Sequence, residues 1–267
     1  MATSPGHGDR PNEDFVGAVP GAVVLLDGAG IPGTESICQH GVAWYSHTLG
    51  SILLGRLSPE GEQDLIAALA NSIDEVAGRH RRTCDIGDPS SPQATVAMVR
   101  FKDGQAEYLV LADVYVVLDP VEARPQVITD PRELSVRREC TAPLIGLTPG
   151  TREYAQTRQS VVDAFRARRN RPGGYWIAKD DPQAAMEAVS GSMPISRLNG
   201  AALLSNGASR IVDAYRLTEW PGVLELLRSG GPDELLRRIR EAETSAAGTL
   251  PGFESADDAT AAYCASR

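Results

Sequence analysis

The sequence predicts an α+β fold, on three observations. Two long amphipathic segments stand side by side early in the chain, with Ile37, Gly41, Trp44, Tyr45, Leu49 and Leu53 near helical spacing in the first. Leu65, Leu69, Ile73, Val76 and Ala77 form the stripe of the second. At residue 93 the period changes to that of strands, which recur over 94–101, 107–112, 115–118 and 126–129. Further apolar strands near both chain ends carry acid or amide side chains at their tips. The 267 residues contain no internal repeat and no long linker, so a single domain over 1–267 is expected.

Taken in order, residues 1–11 are polar, rich in Pro and Gly, and read as an extended lead-in. Asn12-Glu13-Asp14-Phe15-Val16-Gly17-Ala18 passes from acidic to apolar, a short strand with its carboxylates at one end. After the Pro20-Gly21 turn, strand 22–27 ends in Asp27-Gly28-Ala29-Gly30. Such a strand delivers a carboxylate to its tip, and glycine lets a backbone carbonyl approach an ion closely. Thr34 is expected to cap a helix reaching to about 57. Ser58-Pro59, with Glu60 and Glu62 in the first turn, is expected to start a second, antiparallel helix.

The strands of 93–129 are expected to form an antiparallel meander, with a hairpin turn at Lys102-Asp103-Gly104. Residues 130–150 carry no clear pattern. Residues 151–169 read as a helix ending in Arg166, Arg168 and Arg169, which suit a helix C-terminus. A short strand at 175–178 and a helix at 181–189 follow. In Asn170-Arg171-Pro172-Gly173-Gly174-Tyr175-Trp176 the simplest reading is a loop with packing aromatics; Arg171 is the alternative phosphate or peptide contact. Strand 200–205 ends at Asn206-Gly207, where Asn also suits a helix cap. Helices near 208–215, 219–228 and 232–243, a flexible loop at 244–256 and a last strand at 257–264, opening on Asp257-Asp258, complete the chain.

The net charge of −9 argues against nucleic acid or an anionic membrane as partner and fits an acidic pocket for cations. No signal peptide is recognised, and no apolar run reaches the roughly 20 residues of a membrane-spanning helix. A cytoplasmic protein is therefore expected. The four cysteines, Cys38, Cys84, Cys140 and Cys264, lie far apart with no C-x-x-C and no His at zinc-finger spacing, and read as reduced structural thiols. His40 and His47, seven apart, read as ordinary histidines on one helix face.

Oxygen-bearing tips without clustered His or Cys point to Mg²⁺ or Mn²⁺ rather than zinc. In order, the motifs resemble those of the metal-dependent PP2C-type serine/threonine protein phosphatases. Asn12-Glu13-Asp14 is similar to that family's N-E-D opening, and Val24-Leu25-Leu26-Asp27-Gly28-Ala29-Gly30 to its strand ending in D-G-x-G. Residues 91–113 resemble its G-T-T-A strand and the hairpin ending in G-D-S. Leu203-Leu204-Ser205-Asn206-Gly207 resembles L-x-S-D-G, and Asp257-Asp258-Ala259-Thr260 the closing D-N/D-x-T strand.

The resemblance implies a four-layer α-β-β-α sandwich: two antiparallel sheets face to face, flanked by helix pairs. It implies that Asp27 bridges two Mn²⁺ or Mg²⁺ ions and that the Gly28 carbonyl binds one of them. Asp257 and the residue at 206 complete the first ion, and Asp113 helps hold a loosely bound third. Glu13 and Asp14 orient metal-bound waters, and Arg10 is the candidate for binding substrate phosphate. The implied activity is hydrolysis of phosphoserine or phosphothreonine esters, in a phosphorylated protein or small phosphoester, by a water bridging two ions. Position 206 is Asn where the family pattern has Asp. The alternative is therefore a pseudophosphatase, a binding or regulatory module on the same fold.

Overall fold

Two five-stranded antiparallel sheets form the centre of the computed structural model, which describes all residues except 7, 9, 31–35, 59–62, 247–255 and 266–267. In chain order the elements begin with β1 (Ala2–Ser4), β2 (Phe15–Val19), β3 (Ala22–Ala29), α1 (Gly41–Arg56) and α2 (Leu65–His80). Next come β4 (Gln93–Lys102), β5 (Gln105–Leu111), β6 (Tyr115–Pro120), β7 (Gln126–Ile128), α3 (Arg132–Thr141) and α4 (Arg152–Ala167). Last come β8 (Val189–Pro194), β9 (Leu198–Leu204), α5 (Asn206–Asp213), α6 (Trp220–Ala246), which is two helical segments broken at Gly231 with φ 75° and ψ 176°, and β10 (Ala259–Ala265). One sheet has the order β2-β3-β4-β5-β8 and the other β1-β10-β9-β6-β7.

The alternation of strand side chains builds the layers. In β3, Val23 and Leu25 join Ala97, Val99, Val116, Leu118, Ala201 and Leu203 in a core between the sheets. Val24 and Leu26 point the other way, onto Tyr45, Leu49 and Leu53 of α1 and Leu69 and Ile73 of α2. On the far side, Val117, Ala202 and Leu204 pack against Ile211 of α5 and Val223, Leu227, Leu235 and Ile239 of α6. The result is the expected α-β-β-α sandwich. Because β3 is covered on both faces, Ala22 through Leu26 are all buried, so its sequence is a continuous apolar run. Among the described residues no helix is long and apolar enough to cross a membrane.

Several expectations are corrected. The meander is divided: β4 and β5 pair in one sheet and β6 and β7 in the other. The chain crosses between them at Ala112, whose φ of 67° is left-handed although it is not glycine. The lead-in contains β1, which pairs with β10 through Ala2↔Ala261. Residues 181–189 form a 3-10 turn over Pro182–Glu187 and then β8, an edge strand on β5. Tyr175 and Ala178 make only isolated bridges. The stretch 130–150 contains α3. Helix α1 begins at Gly41, and Thr34 lies outside the described residues. Helix α2 is capped by Asp64, whose carboxylate accepts from the Ala67 N–H at 2.7 Å, not by Ser58; Pro59, Glu60 and Glu62 lie outside the described residues. Most of the 244–256 loop is likewise outside them.

Candidate active site

Antiparallel pairing brings the acidic tips together. The register Phe15↔Leu26 sets Asp14 beside the end of β3, where Asp27 stands. The register Ala261↔Leu204 sets the start of β10, preceded by Asp257 and Asp258, beside the end of β9 and the first residues of α5. The two sheets meet through residue 206: its backbone N–H donates to Asp27 Oδ2 at 3.0 Å, and its Nδ2 to Asp113 Oδ2 at 2.8 Å. Asp258 staples the remaining strand, accepting from the Gly6 N–H at 2.8 Å and the Glu13 N–H at 2.6 Å.

Two glycines are required by close backbone approach. A Cβ at Gly28 would lie 2.4 Å from the Glu13 carbonyl oxygen, and one at Gly207 would lie 2.0 Å from that of Asp258. Helix α1 supports the same strands from behind. Ser46 Oγ donates to the Glu13 carbonyl at 2.6 Å, and His47 Nε2 to the Asp14 carbonyl at 3.0 Å.

The electrostatics are those of crowded carboxylates in a desolvated place. Burial pushes Asp27 well above the usual carboxylate range, and the charges of Asp14, Asp257 and Asp113 add to it; the Asn206 N–H opposes. Burial raises Asp14 to about 7, opposed by the Thr260 and Ser205 hydroxyls and assisted by Asp258. Neither Asp14 carboxylate oxygen has a hydrogen-bond partner of ordinary geometry, although the residue is only 3% exposed. Glu13 is raised to about 7 by burial and by Asp258 and Asp257, with Arg10 opposing. Asp113 is raised by burial, with the Arg137 guanidinium, 3.9 Å away, opposing.

Every site residue expected from the sequence can now be placed. Asp27, Gly28, Glu13, Asp14, Asn206, Asp113 and Asp257 are gathered at the meeting of the two sheets. Arg10 is exposed beside Glu13. Arg171 is exposed in the loop after α4, its carbonyl accepting from the Gly174 N–H at 2.9 Å. The groove next to that loop is lined by Arg132, Glu139, Gly174, Trp176 and Glu187, and none of the acidic tips lines it. Two positions depart from a simple set of open ligands. Asp257 Oδ2 holds the Arg210 guanidinium at 2.6 Å, and Asp113 accepts the amide of Asn206.

Sequence reasoning missed the basic partners of the site. Glu133, 6% exposed and raised to about 7 by burial and Asp113, pairs with Arg137 at 2.5 Å, and both lie in α3. Their i,i+4 spacing was the available signal. Arg210 is likewise four residues after Asn206. His40 is not an ordinary helix histidine: it precedes α1 and faces Cys38 and Cys84.

The donor set fits divalent cations of the Mg²⁺ or Mn²⁺ type. It consists of carboxylate, amide and backbone carbonyl oxygens, and a buried carboxylate without hydrogen bonds is a group that cations stabilise.

Comparison with known proteins agrees with this architecture. Residues 3–163 match the sequence profile described as Protein phosphatase 2C. No curated protein sequence matches the chain. Among solved structures, PppA, a regulatory component of T6SS in Pseudomonas aeruginosa, is 16% identical with a TM-score of 0.61, covering 100% of this chain and 96% of that one. The Mycobacterium tuberculosis serine/threonine phosphatase PstP/Ppp is 16% identical with a TM-score of 0.58, over 100% and 97% of the two chains. The catalytic domain of PstP in complex with two manganese ions is 17% identical with a TM-score of 0.57, over 99% and 95%. At these identities the structural likeness concerns the fold.

Proposed function

This chain belongs to the protein phosphatase 2C family, and we propose that it hydrolyses phosphoserine or phosphothreonine esters with the help of Mn²⁺ or Mg²⁺. The observation that carries this reading is the convergence of Asp27, Asp14, Glu13, Asp113 and Asp257 around residue 206. The presence of two manganese ions in a relative of the same fold supports the choice of cation. The residues that would hold the ions are Asp27, the Gly28 carbonyl, Asp257 and the Asn206 amide oxygen, with Asp113 on a third. When bound, such ions acidify water into a nucleophile and offset the negative charge of the phosphoryl group.

The chain's own residues do the rest. Glu13 and Asp14 lie beside these ligands, where their carboxylates can orient cation-bound water. The exposed Arg10 offers a guanidinium fork to phosphate oxygens beside Glu13. The sandwich extends past residue 163 through β8, β9, α5, α6 and β10, which supports one domain over 1–267.

A second reading is favoured by Asn206 and Arg210. The amide of Asn206 engages Asp113, and Arg210 engages Asp257, so two of the acids expected to meet cations already have partners. On that reading the chain is a binding or regulatory module. The test is phosphoester hydrolysis against Mn²⁺ concentration for this chain and for Asn206→Asp. Strong activity in the unaltered chain overturns the second reading. Silence of both proteins at millimolar Mn²⁺ overturns the first.

A further inference from the structure

At the far ends of α1 and α2 from their connecting turn, four side chains that are distant in sequence meet. Cys38 and His40 lie in the turn before α1; His80 is the last residue of α2, and Cys84 follows four residues later. Cys38 Sγ is 3.8 Å from His40 Nδ1 and 3.7 Å from His80 Nδ1, and His40 Nδ1 is 3.2 Å from Cys84 Sγ. One ligand atom from each of the four lies within 4.8 Å of every other. We propose that Cys38, His40, His80 and Cys84 form a tetrahedral zinc site, separate from the acidic centre, that clamps the start of α1 to the end of α2.

The geometry is the main argument. A tetrahedral zinc with ordinary Zn–S and Zn–N bonds has S···N edges of about 3.6 Å. The three S···N separations in the cluster bracket that value. Pairwise thiol–imidazole hydrogen bonds account for the cluster less well: His40 Nδ1 faces both sulfurs, yet a ring nitrogen has a single site, one lone pair or one N–H, and can bond only one of them. The donor chemistry selects the metal, since two sulfurs and two imidazoles suit Zn²⁺ and not the hard cations of the acidic centre.

Charge and protonation agree. Two thiolates and two neutral imidazoles around Zn²⁺ make a neutral group, which suits a place where Cys38 and His80 are 3% and 2% exposed. Ligation takes both imidazoles neutral and both thiols as thiolates. Binding releases the two thiol protons to solvent and changes no oxidation state.

The site also has a mechanical meaning. Its two turns are already joined by the Asp85 N–H donating to the Ile37 carbonyl at 2.9 Å. The clamped end of α1 carries Val42, which fills the space against Gly28, and then Ser46 and His47, which hold the Glu13 and Asp14 carbonyls. Zinc here would fix the helix that supports the acidic centre.

The experiment is metal analysis of the purified 267-residue chain, kept reduced and passed over a weak chelator. One equivalent of zinc is expected. Cys84→Ser and Cys38→Ser are expected to lose it, and Asp27→Asn to keep it. In case the cysteine variants fold poorly, cobalt substitution of the unaltered chain gives an independent measure: thiolate-to-cobalt charge transfer and intense tetrahedral d–d bands. A chelator strong enough to strip zinc should lower Tm, and zinc should restore it. The proposal is overturned if no zinc is retained and cobalt shows no thiolate band. It is also overturned if zinc leaves with Asp27→Asn but not with Cys84→Ser, or if thiol titration finds Cys38 and Cys84 joined as a disulfide.

Discussion

Replacing Asn206 by aspartate exchanges a hydrogen-bond donor for a second carboxylate 2.8 Å from Asp113 and next to Asp27. Two unit charges about 4 Å apart at an effective dielectric constant near 20 repel by about 4 kcal/mol. The cost is bounded independently, because one carboxyl can take up a proton instead. Holding a carboxyl of pKa about 3.9 protonated at pH 7 costs about 4 kcal/mol, at 1.36 kcal/mol per unit. Partial exposure of Asp113 and screening by salt reduce either figure, so the metal-free variant should be about 2–4 kcal/mol less stable than the unaltered chain. For a chain of this size that is a fall in Tm of about 5–15 °C. With Mn²⁺ the sign reverses: the added charge should tighten binding at least about tenfold, equivalent to about 1.4 kcal/mol. The assay is a thermal melt in chelator and in graded Mn²⁺, with calorimetric titration of the metal. An unchanged Tm in chelator would show that residue 206 does not face Asp113 as described. Unchanged Mn²⁺ affinity would show that it is no part of a cation site.

Three other perturbations follow from the same geometry. Asp14 and Glu13 are raised in the folded chain to about 7 from ordinary values near 4, so the native state binds protons more tightly than the unfolded chain. The metal-free protein should therefore lose stability as pH rises from about 4 to about 7 and change little through these groups above that. Asp14→Asn should flatten the slope, and an equally steep Tm-against-pH curve in that variant would refute the assignment. Arg210→Gln removes the guanidinium from Asp257 and should tighten Mn²⁺ binding severalfold while slightly lowering Tm in chelator, because Glu243 keeps Arg240 at 2.5 Å but loses its second cation, 4.0 Å away. Weaker Mn²⁺ binding in this variant would count against Asp257 as a ligand. Gly28→Ala forces a Cβ against the Glu13 carbonyl and should cost about 1–3 kcal/mol and most Mn²⁺-dependent turnover; a neutral melt and full turnover would contradict the close approach.

The acidic tips were legible because their signal is local: an apolar strand that stops on Asp27-Gly28 or starts after Asp257-Asp258 announces itself in a few residues. The partition of strands between the sheets was not, since the crossing rests on Ala112 holding a left-handed conformation that sequence reasoning assigns to glycine. The short edge strands β1 and β8 exist by virtue of their neighbours β10 and β5, and carry little pattern of their own. Helix α3 was hidden for a related reason. It buries only Glu133 and Val136, so it has no apolar stripe, and what it contributes is charge. The Cys38, His40, His80 and Cys84 grouping depends on antiparallel helices folding back about 40 residues of chain. Cys38 and His40 stand two apart and His80 and Cys84 four apart, but the two halves meet only once both helices are drawn. The missed basic residues act on the acidic centre from other elements. Arg137 from α3 and Arg210 from α5 supply positive charge to Asp113 and Asp257, and Asn206 withholds one negative charge between them. Arg210 is on the same face of α5 as residue 206, one turn later. Any change that restores Asp at 206 while leaving Arg210 in place adds a carboxylate near a guanidinium already committed to Asp257. The two substitutions should then be non-additive in Mn²⁺ affinity, and a double-mutant cycle over Asn206→Asp and Arg210→Gln measures that coupling directly.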